Sequence, residues 1–392
     1  MTLEEIKKRD AETIMPTYAR FDVQLVSGKG ATAKDAEGKE YIDFTAGIGV
    51  NSLGYCDETW AAAVAKQAAT LQHTSNLYYN PLQSELAEKL CRLSGMSKVF
   101  FCNSGAEANE CAVKLARKFG SETSGACRTE IVTLKNSFHG RTVTTLAATG
   151  QDEFHKCFTP LTQGFRYADT NRESVRSVVS ENTCAFLLEL IQGEGGVVPI
   201  DPGFVKELRA FCTERGILLM IDEVQTGIGR TGAFYSYQKY GVIPDVVTSA
   251  KGLGGGLPIG ACLCSEKLGG VLGRGTHGST FGGNPVVCAG ALAVLGRVGN
   301  PAFLAEVGEK GAYLAGRLKK IPGIASVRGM GLMLGAKPEN GTPAAIAAKC
   351  AENGLLVLTA KDVLRFLPPL TITEREMDRG LEILEKTMKT FG

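Results

Sequence analysis

Apolar residues in this chain follow two spacings that alternate between about residues 58 and 290. Leu82, Leu86, Leu90 and Leu93 recur at helical intervals. A short apolar run, Val99-Phe-Phe-Cys102, is followed at once by a helical stretch through Cys111, Leu115 and Phe119. Further strands are predicted over 131–134, 185–191, 217–221, 246–249 and 259–264. Several of these runs are apolar without alternation, as strands covered on both faces are. The pattern predicts an α/β domain built on a mostly parallel sheet.

The flanking segments read differently. Thr2 and Glu5 have the spacing of a capping box for a short helix that must stop before Pro16. Residues 32–44 predict a β-hairpin turning at 35–38. After about residue 290 the order becomes helix, strand pair, helix, strands, helix, with the pair 324–328 and 332–336 broken at Gly329-Met-Gly331. A smaller α+β domain is expected there, packed with the N-terminal arm. The division is therefore 51–290 for the large domain, and 1–50 plus 291–392 for arm and small domain.

Composition narrows the function. Of 392 residues 48 are glycine, about 20 more than average usage gives. Many lie between Gly227 and Gly299, with no collagen-like period. Lys+Arg 43 against Asp+Glu 41 leaves no field to attract nucleic acid or an anionic membrane. No apolar run is long enough to span a bilayer, and the charged N-terminus lacks the apolar stretch of a secretory signal. The 12 cysteines show no recurring zinc-type pair and the 4 histidines are scattered, so no metal site is expected. Free, mostly buried thiols in a cytoplasmic protein are.

Three places carry candidate chemistry. Asp222-Glu223 ends an apolar strand, where ligands of open α/β sheets bind, although a helix cap or a structural ion pair has the same signature. Ser249-Ala-Lys251 precedes Gly252-Leu-Gly-Gly-Gly256. Those glycines either cradle a phosphate or clear space for the Lys251 amine to reach a cofactor carbonyl. The dinucleotide fingerprint is missing and a Walker A lysine follows its glycines, so the carbonyl reading fits the order better. Asn103-Ser-Gly-Ala-Glu107 sits at a strand-to-helix junction, which suits an anion site or a plain serine cap. Lysine, acid and helix N-terminus together match pyridoxal phosphate.

At this point the chain resembles the class III pyridoxal-phosphate aminotransferases of fold type I. The resemblance runs through Tyr41-Ile-Asp-Phe44, Asn103-Ser-Gly-Ala-Glu-Ala-Asn-Glu110, Phe138-His-Gly-Arg141, Ile191-Gln-Gly-Glu-Gly-Gly196, Ile221-Asp-Glu-Val-Gln-Thr-Gly227, Thr248-Ser-Ala-Lys-Gly252 and Gly278-Ser-Thr-Phe-Gly-Gly-Asn-Pro285. It implies a large mostly parallel-sheet domain with a smaller α+β domain, and pyridoxal 5'-phosphate as cofactor. Lys251 and Asp222 are implied as catalytic residues. Ser104, Gly105, Ala106, Phe138, His139, Gln225 and Thr280 are implied to join them around the cofactor, Thr280 from the partner of a homodimer with shared active sites.

For substrates the resemblance implies an amino donor and 2-oxoglutarate, held by Tyr18, Ile48, Arg141, Glu194 and Arg365. Glu194 is expected to pair with Arg365 while the donor's distal amine is processed. An aliphatic Ile48 suits an acylated amine, so the implied reaction moves the terminal amino group of N-acetylornithine. Ornithine, succinylornithine, succinyl-diaminopimelate and 4-aminobutyrate are the alternative donors. An aminomutase and a silent cofactor-binding protein are the alternative functions. Three departures from the family pattern stand out: Leu190 for a proline, Ala106 for a threonine, and Tyr55-Cys-Asp-Glu58 for a His-rich loop.

Overall fold

The computed structural model describes residues 1–123 and 128–392, so Cys127 falls outside the described residues. A seven-stranded sheet forms its centre. In chain order its strands are β1 Lys98–Cys102, β2 Glu130–Leu134, β3 Phe165–Ala168, β4 Thr183–Leu188, β5 Leu218–Asp222, β6 Val246–Ser249 and β7 Gly260–Cys264. In space they lie β1-β7-β6-β5-β4-β2-β3. Strands β2 to β6 pair in parallel, whereas β7 is antiparallel to both β6 and β1. The exception has a local cause: no crossover helix joins β6 to β7, only a loop with one 3-10 turn at Lys251–Leu253.

Within the α/β region two elements depart from the pattern-based expectation. Strand β3 went unpredicted because it is short and lies at the sheet edge, with Arg166 exposed. The run 185–191 splits, since the chain leaves the sheet after Leu188 and Ile191–Gln192 pairs instead with Val198–Pro199. That small hairpin carries Glu194 at its turn. Elsewhere β4, β5 and β6 are buried at every position, in keeping with helices on both faces.

Segments from the two ends of the sequence pair with each other. The N-terminal helix Leu3–Thr13 has its capping box at Thr2 and Glu5. Strands Thr32–Asp35 and Glu40–Asp43 form the hairpin, and Glu40–Asp43 pairs in parallel with Leu355–Leu356 from the far end of the chain. A separate antiparallel sheet runs Ile324–Met330, Met333–Pro338, Val363–Phe366, Leu358–Ala360. The expected boundary near 290 falls inside the helix Pro285–Val298. Among the described residues no single helix is long and apolar enough to cross a membrane.

Candidate active site

The carboxyl ends of β1, β5 and β6 open onto a cavity of about 460 Å³. Adjacent strand residues point to opposite faces, and this separates the Asp222-Glu223 pair. Glu223 turns away: its carboxylate accepts from Ser236 Oγ at 2.6 Å, Thr226 Oγ1 at 2.6 Å and the Tyr237 N–H at 2.9 Å. Asp222 lines the cavity while almost wholly buried. Its Oδ2 accepts from Asn109 Nδ2 at 2.8 Å and lies 2.8 Å from His139 Nδ1, and its Oδ1 accepts the Val224 N–H at 3.0 Å. His139 lines the cavity beside Asp222, and its Nε2 is buried without a partner among the described residues.

Lys251 follows β6 and lines the same cavity. Its φ of +45° is in the left-handed region, unusual for a residue with a side chain. Burial pushes its amine down to about 8; Glu194 and Asp222 resist that shift and Arg365 reinforces it. A lysine so placed is partly neutral at physiological pH.

At the opposite wall the helix Gly105–Thr123 begins. Ser104 Oγ accepts the Glu107 N–H at 3.2 Å, so it is a capping serine, and the Ser104 carbonyl accepts the Ala108 N–H. The Gly105 and Ala106 N–H groups belong to the first turn, where the helix offers no acceptor. Phe138 also lines the cavity, edge-on to Phe154 at 5.7 Å, and the Arg141 guanidinium lies 5.6 Å and 4.6 Å from these two rings. Gly140, with φ +143°, lets the loop pass close to the helix: a Cβ there would lie 2.8 Å from that of Ala106.

Beside this cavity Arg365, buried in the strand Val363–Phe366, donates to Glu194 Oε1 at 2.5 Å and to Gln225 Oε1 at 3.3 Å. Burial works to raise the Glu194 carboxyl, but Arg365 outweighs it and holds that group below its ordinary value. Arg365 Nε has no partner among the described residues.

Two site residues escaped the sequence reading. Asn109 bridges Asp222, the His139 carbonyl and Thr248 Oγ1. Its signal was a polar side chain on the helix face otherwise lined by Ala108 and Ala112. Glu189 accepts the Phe138 N–H at 2.9 Å and the Gly193 N–H at 3.1 Å, and burial pushes its carboxyl up to about 7. Its signal was a carboxylate ending an apolar strand, as at Asp222. Tyr18, Ile48 and Thr280 are exposed and stand outside the cavity wall of this single chain.

Residues 14–388 match the family model for class III aminotransferases. The chain belongs to that family. It is 48% identical over 392 residues to the acetylornithine aminotransferase of Haemophilus ducreyi, covering 99% of each chain. Among solved structures it is similar to an ornithine aminotransferase from Toxoplasma gondii with pyridoxal phosphate at partial occupancy (TM-score 0.94, 32% identity, 100% and 95% covered). It is also similar to the N-acetylornithine aminotransferase of Stenotrophomonas maltophilia (TM-score 0.84, 36% identity, 98% of each covered).

As a class III aminotransferase it is an enzyme that depends on pyridoxal phosphate and takes an amino donor and a keto acid. The residues present fit that cofactor. A buried carboxylate and a partly neutral lysine face one cavity, with first-turn N–H groups on one wall and an aromatic ring on another.

Proposed function

We propose that this aminotransferase moves the terminal amino group of N-acetylornithine to 2-oxoglutarate, giving N-acetylglutamate 5-semialdehyde and glutamate. The observation that carries the reading is the part-buried Arg365–Glu194 pair beside Lys251. One site must serve two substrates with unlike ends. With the pair closed, the charge of Arg365 is neutralised, which suits a donor whose reacting terminal carbon bears no carboxylate. With Glu194 swung away, the guanidinium offers its fork to the α-carboxylate of 2-oxoglutarate. Arg141 then holds the donor's α-carboxylate and, in the second half-reaction, the γ-carboxylate of the keto acid.

The cofactor supplies an aldehyde carbon and a ring that accepts an electron pair. Asp222, oriented by Asn109 and His139, holds a proton at the ring nitrogen. Gln225 donates toward the phenolic oxygen, and Phe138 covers one ring face and excludes water. Ser104 and the N–H groups of Gly105 and Ala106 bind phosphate. Lys251 Nζ takes the proton from the donor carbon and later delivers one to the former carbonyl carbon of the keto acid. Thr280, exposed on a single chain, reaches the phosphate of a second copy, so the enzyme is a homodimer with shared sites. Tyr18 and Ile48 border the donor when that dimer forms. The arm and residues 291–392 act as one body against 51–290, supported by the Glu40–Asp43 pairing with Leu355–Leu356. Buried free thiols such as Cys212 and Cys350 suit the cytoplasm.

A second reading, ornithine as donor, draws on the higher TM-score to the T. gondii enzyme, 0.94 against 0.84. A donor panel decides between them: N-acetylornithine, ornithine, N-succinylornithine and 4-aminobutyrate, each with 2-oxoglutarate, following glutamate. The first reading requires the highest kcat/KM with N-acetylornithine; ornithine in first place overturns it.

A further inference from the structure

The turn that carries Glu194 docks on one rung of the small antiparallel sheet. Arg328 pairs with Gly335 across the first two strands, and Gly335 with Arg365 across the next two. Directly opposed residues project from the same face of a sheet, so Arg328 and Arg365 flank Gly335 on one side. Each meets the turn at a different point. Arg365 Nη1 takes Glu194 Oε1 at 2.5 Å. Gly335 receives Val197, whose Cβ would lie 3.0 Å from any Cβ placed there. Arg328 Nε donates to the Gly196 carbonyl at 2.7 Å.

Arg328 is itself fixed. Its Nη2 donates to Asp362 Oδ1 at 2.7 Å, and Lys337 Nζ lies 3.2 Å from the other oxygen of that carboxylate. Asp362 immediately precedes the strand Val363–Phe366 that holds Arg365. Arg328 therefore ties the turn to the strand bearing the partner of Glu194. Gly196, at φ +108°, has no Cβ to keep the guanidinium away: one built there would sit 2.7 Å from Arg328 Nη2.

We propose that Arg328 is a positioning residue for substrate selection, setting through the Gly196 carbonyl how firmly Glu194 closes on Arg365. The inference rests on the reading of Glu194 and Arg365 as a pair that opens for the keto acid. Arg328 touches neither substrate nor cofactor; it acts on the equilibrium between the closed and open pair. Without it the turn loosens, Glu194 leaves Arg365 more often, and substrates with two carboxylates gain over the acylated donor.

The test measures the two half-reactions separately on the holoenzyme, with N-acetylornithine and with L-glutamate. Arg328→Gln is expected to raise the glutamate to N-acetylornithine ratio of kcat/KM about five- to tenfold. Arg328→Lys, able to reach one acceptor but not both, gives a smaller rise. Gly335→Ala, which displaces Val197 without touching a charge, shifts the ratio in the same direction. In a Glu194→Gln background Arg328→Gln adds nothing. An unchanged ratio, or an equal loss in both half-reactions, overturns the positioning role. If Glu194→Gln alone leaves the ratio unchanged, the pair has no selective role and both ideas fall. If Glu194→Gln moves it and Arg328→Gln does not, only Arg328 loses its place.

Discussion

Asn109 donates to Asp222 Oδ2 at 2.8 Å while its own Oδ1 accepts from Thr248 Oγ1 at 2.7 Å, so one helix side chain locks the carboxylate that ends β5 to the middle of β6. The same Nδ2 also reaches the His139 carbonyl at 2.8 Å. Asn109→Ala leaves that buried carbonyl and the Thr248 hydroxyl without their partner, at a cost of about 1–3 kcal/mol for each unsatisfied group. It also leaves Asp222 with His139 and Val224 alone. We expect a lower melting temperature together with faster loss of cofactor on gel filtration. Stability loss with full cofactor retention would show that Asn109 serves the fold and not the orientation of Asp222.

Lys251 gives a pH signature that needs no cofactor. Its folded value of about 8 lies below the ordinary 10.5, so between these values the unfolded chain binds more protons than the folded one. Stability of the cofactor-free protein therefore rises with pH across that window, and at pH 7 the buried amine is a net cost. Lys251→Met, similar in length and uncharged, is predicted to melt a few degrees above wild type at pH 7. The difference should shrink toward pH 10. Differential scanning calorimetry of the two cofactor-free proteins across this range checks the sign, and a constant difference would refute it.

Glu189 behaves in the opposite sense. Its carboxyl is raised to about 7 from 4.5 by burial, so between those values the folded chain binds the extra proton. Stability then falls as pH rises through this window, and above pH 7 the ionised form is a cost. Glu189→Gln, nearly isosteric with the protonated acid, should gain stability over wild type at pH 8 and none at pH 4.5. Thermal melts at the two pH values decide. A gain that persists at pH 4.5 would point to packing and not to ionisation.

Asp222, Lys251, Asn109 and Glu189 show where the sequence was legible and where it was not. Asp222 ends one fully buried strand and Lys251 lies two residues beyond another, and strand ends are readable because burial dictates composition there. Asn109 sits within a helix and Glu189 one residue past a strand; their roles arise from contacts 113 and 51 positions away, with Asp222 and Phe138. No local pattern encodes such pairings. The same limit hid β3, whose place is fixed by pairing with β2 and not by its own alternation. The Arg328–Gly335–Arg365 rung is a matter of register across three strands, which spacing along the chain does not reveal. The excess of glycine pointed the right way at Gly140, Gly196 and Gly252, where a Cβ would meet a neighbour within 2.8 Å.

Arg230 offers a test of how the small antiparallel sheet is fastened to the segment that follows β5. Its guanidinium is buried, and Nη1 donates to the carbonyls of Leu332 at 3.1 Å and Pro368 at 2.5 Å, each two residues past the end of the strand that carries Arg328 or Arg365. Arg230→Met keeps much of the bulk but leaves both carbonyls unsatisfied. The expected loss is about 2–4 kcal/mol in denaturant unfolding. The variant should also show a raised KM for 2-oxoglutarate, because Pro368 follows Arg365 by only three residues. A stable variant with unchanged KM would mean that these carbonyls find other donors.

Thr280 is exposed and stands away from the cavity of its own chain, and this yields a prediction about subunits. Suppose it binds phosphate in the partner's site. A Lys251→Ala homodimer then lacks its amine in both sites, and a Thr280→Ala homodimer lacks its hydroxyl in both. In a hybrid of the two, one site loses both groups, but the other has an intact Lys251 and receives an intact Thr280 from the Lys251→Ala subunit. Mixing and reassociating the two inactive or weakened variants should therefore restore activity, up to half that of wild type per hybrid dimer. If Thr280 acts within its own chain, the hybrid's Lys251-bearing site still lacks the hydroxyl and mixing restores nothing. The assay is kcat after refolding equimolar mixtures, with cofactor affinity measured alongside. Recovery of tight cofactor binding together with rate assigns Thr280 to the phosphate of the neighbouring subunit.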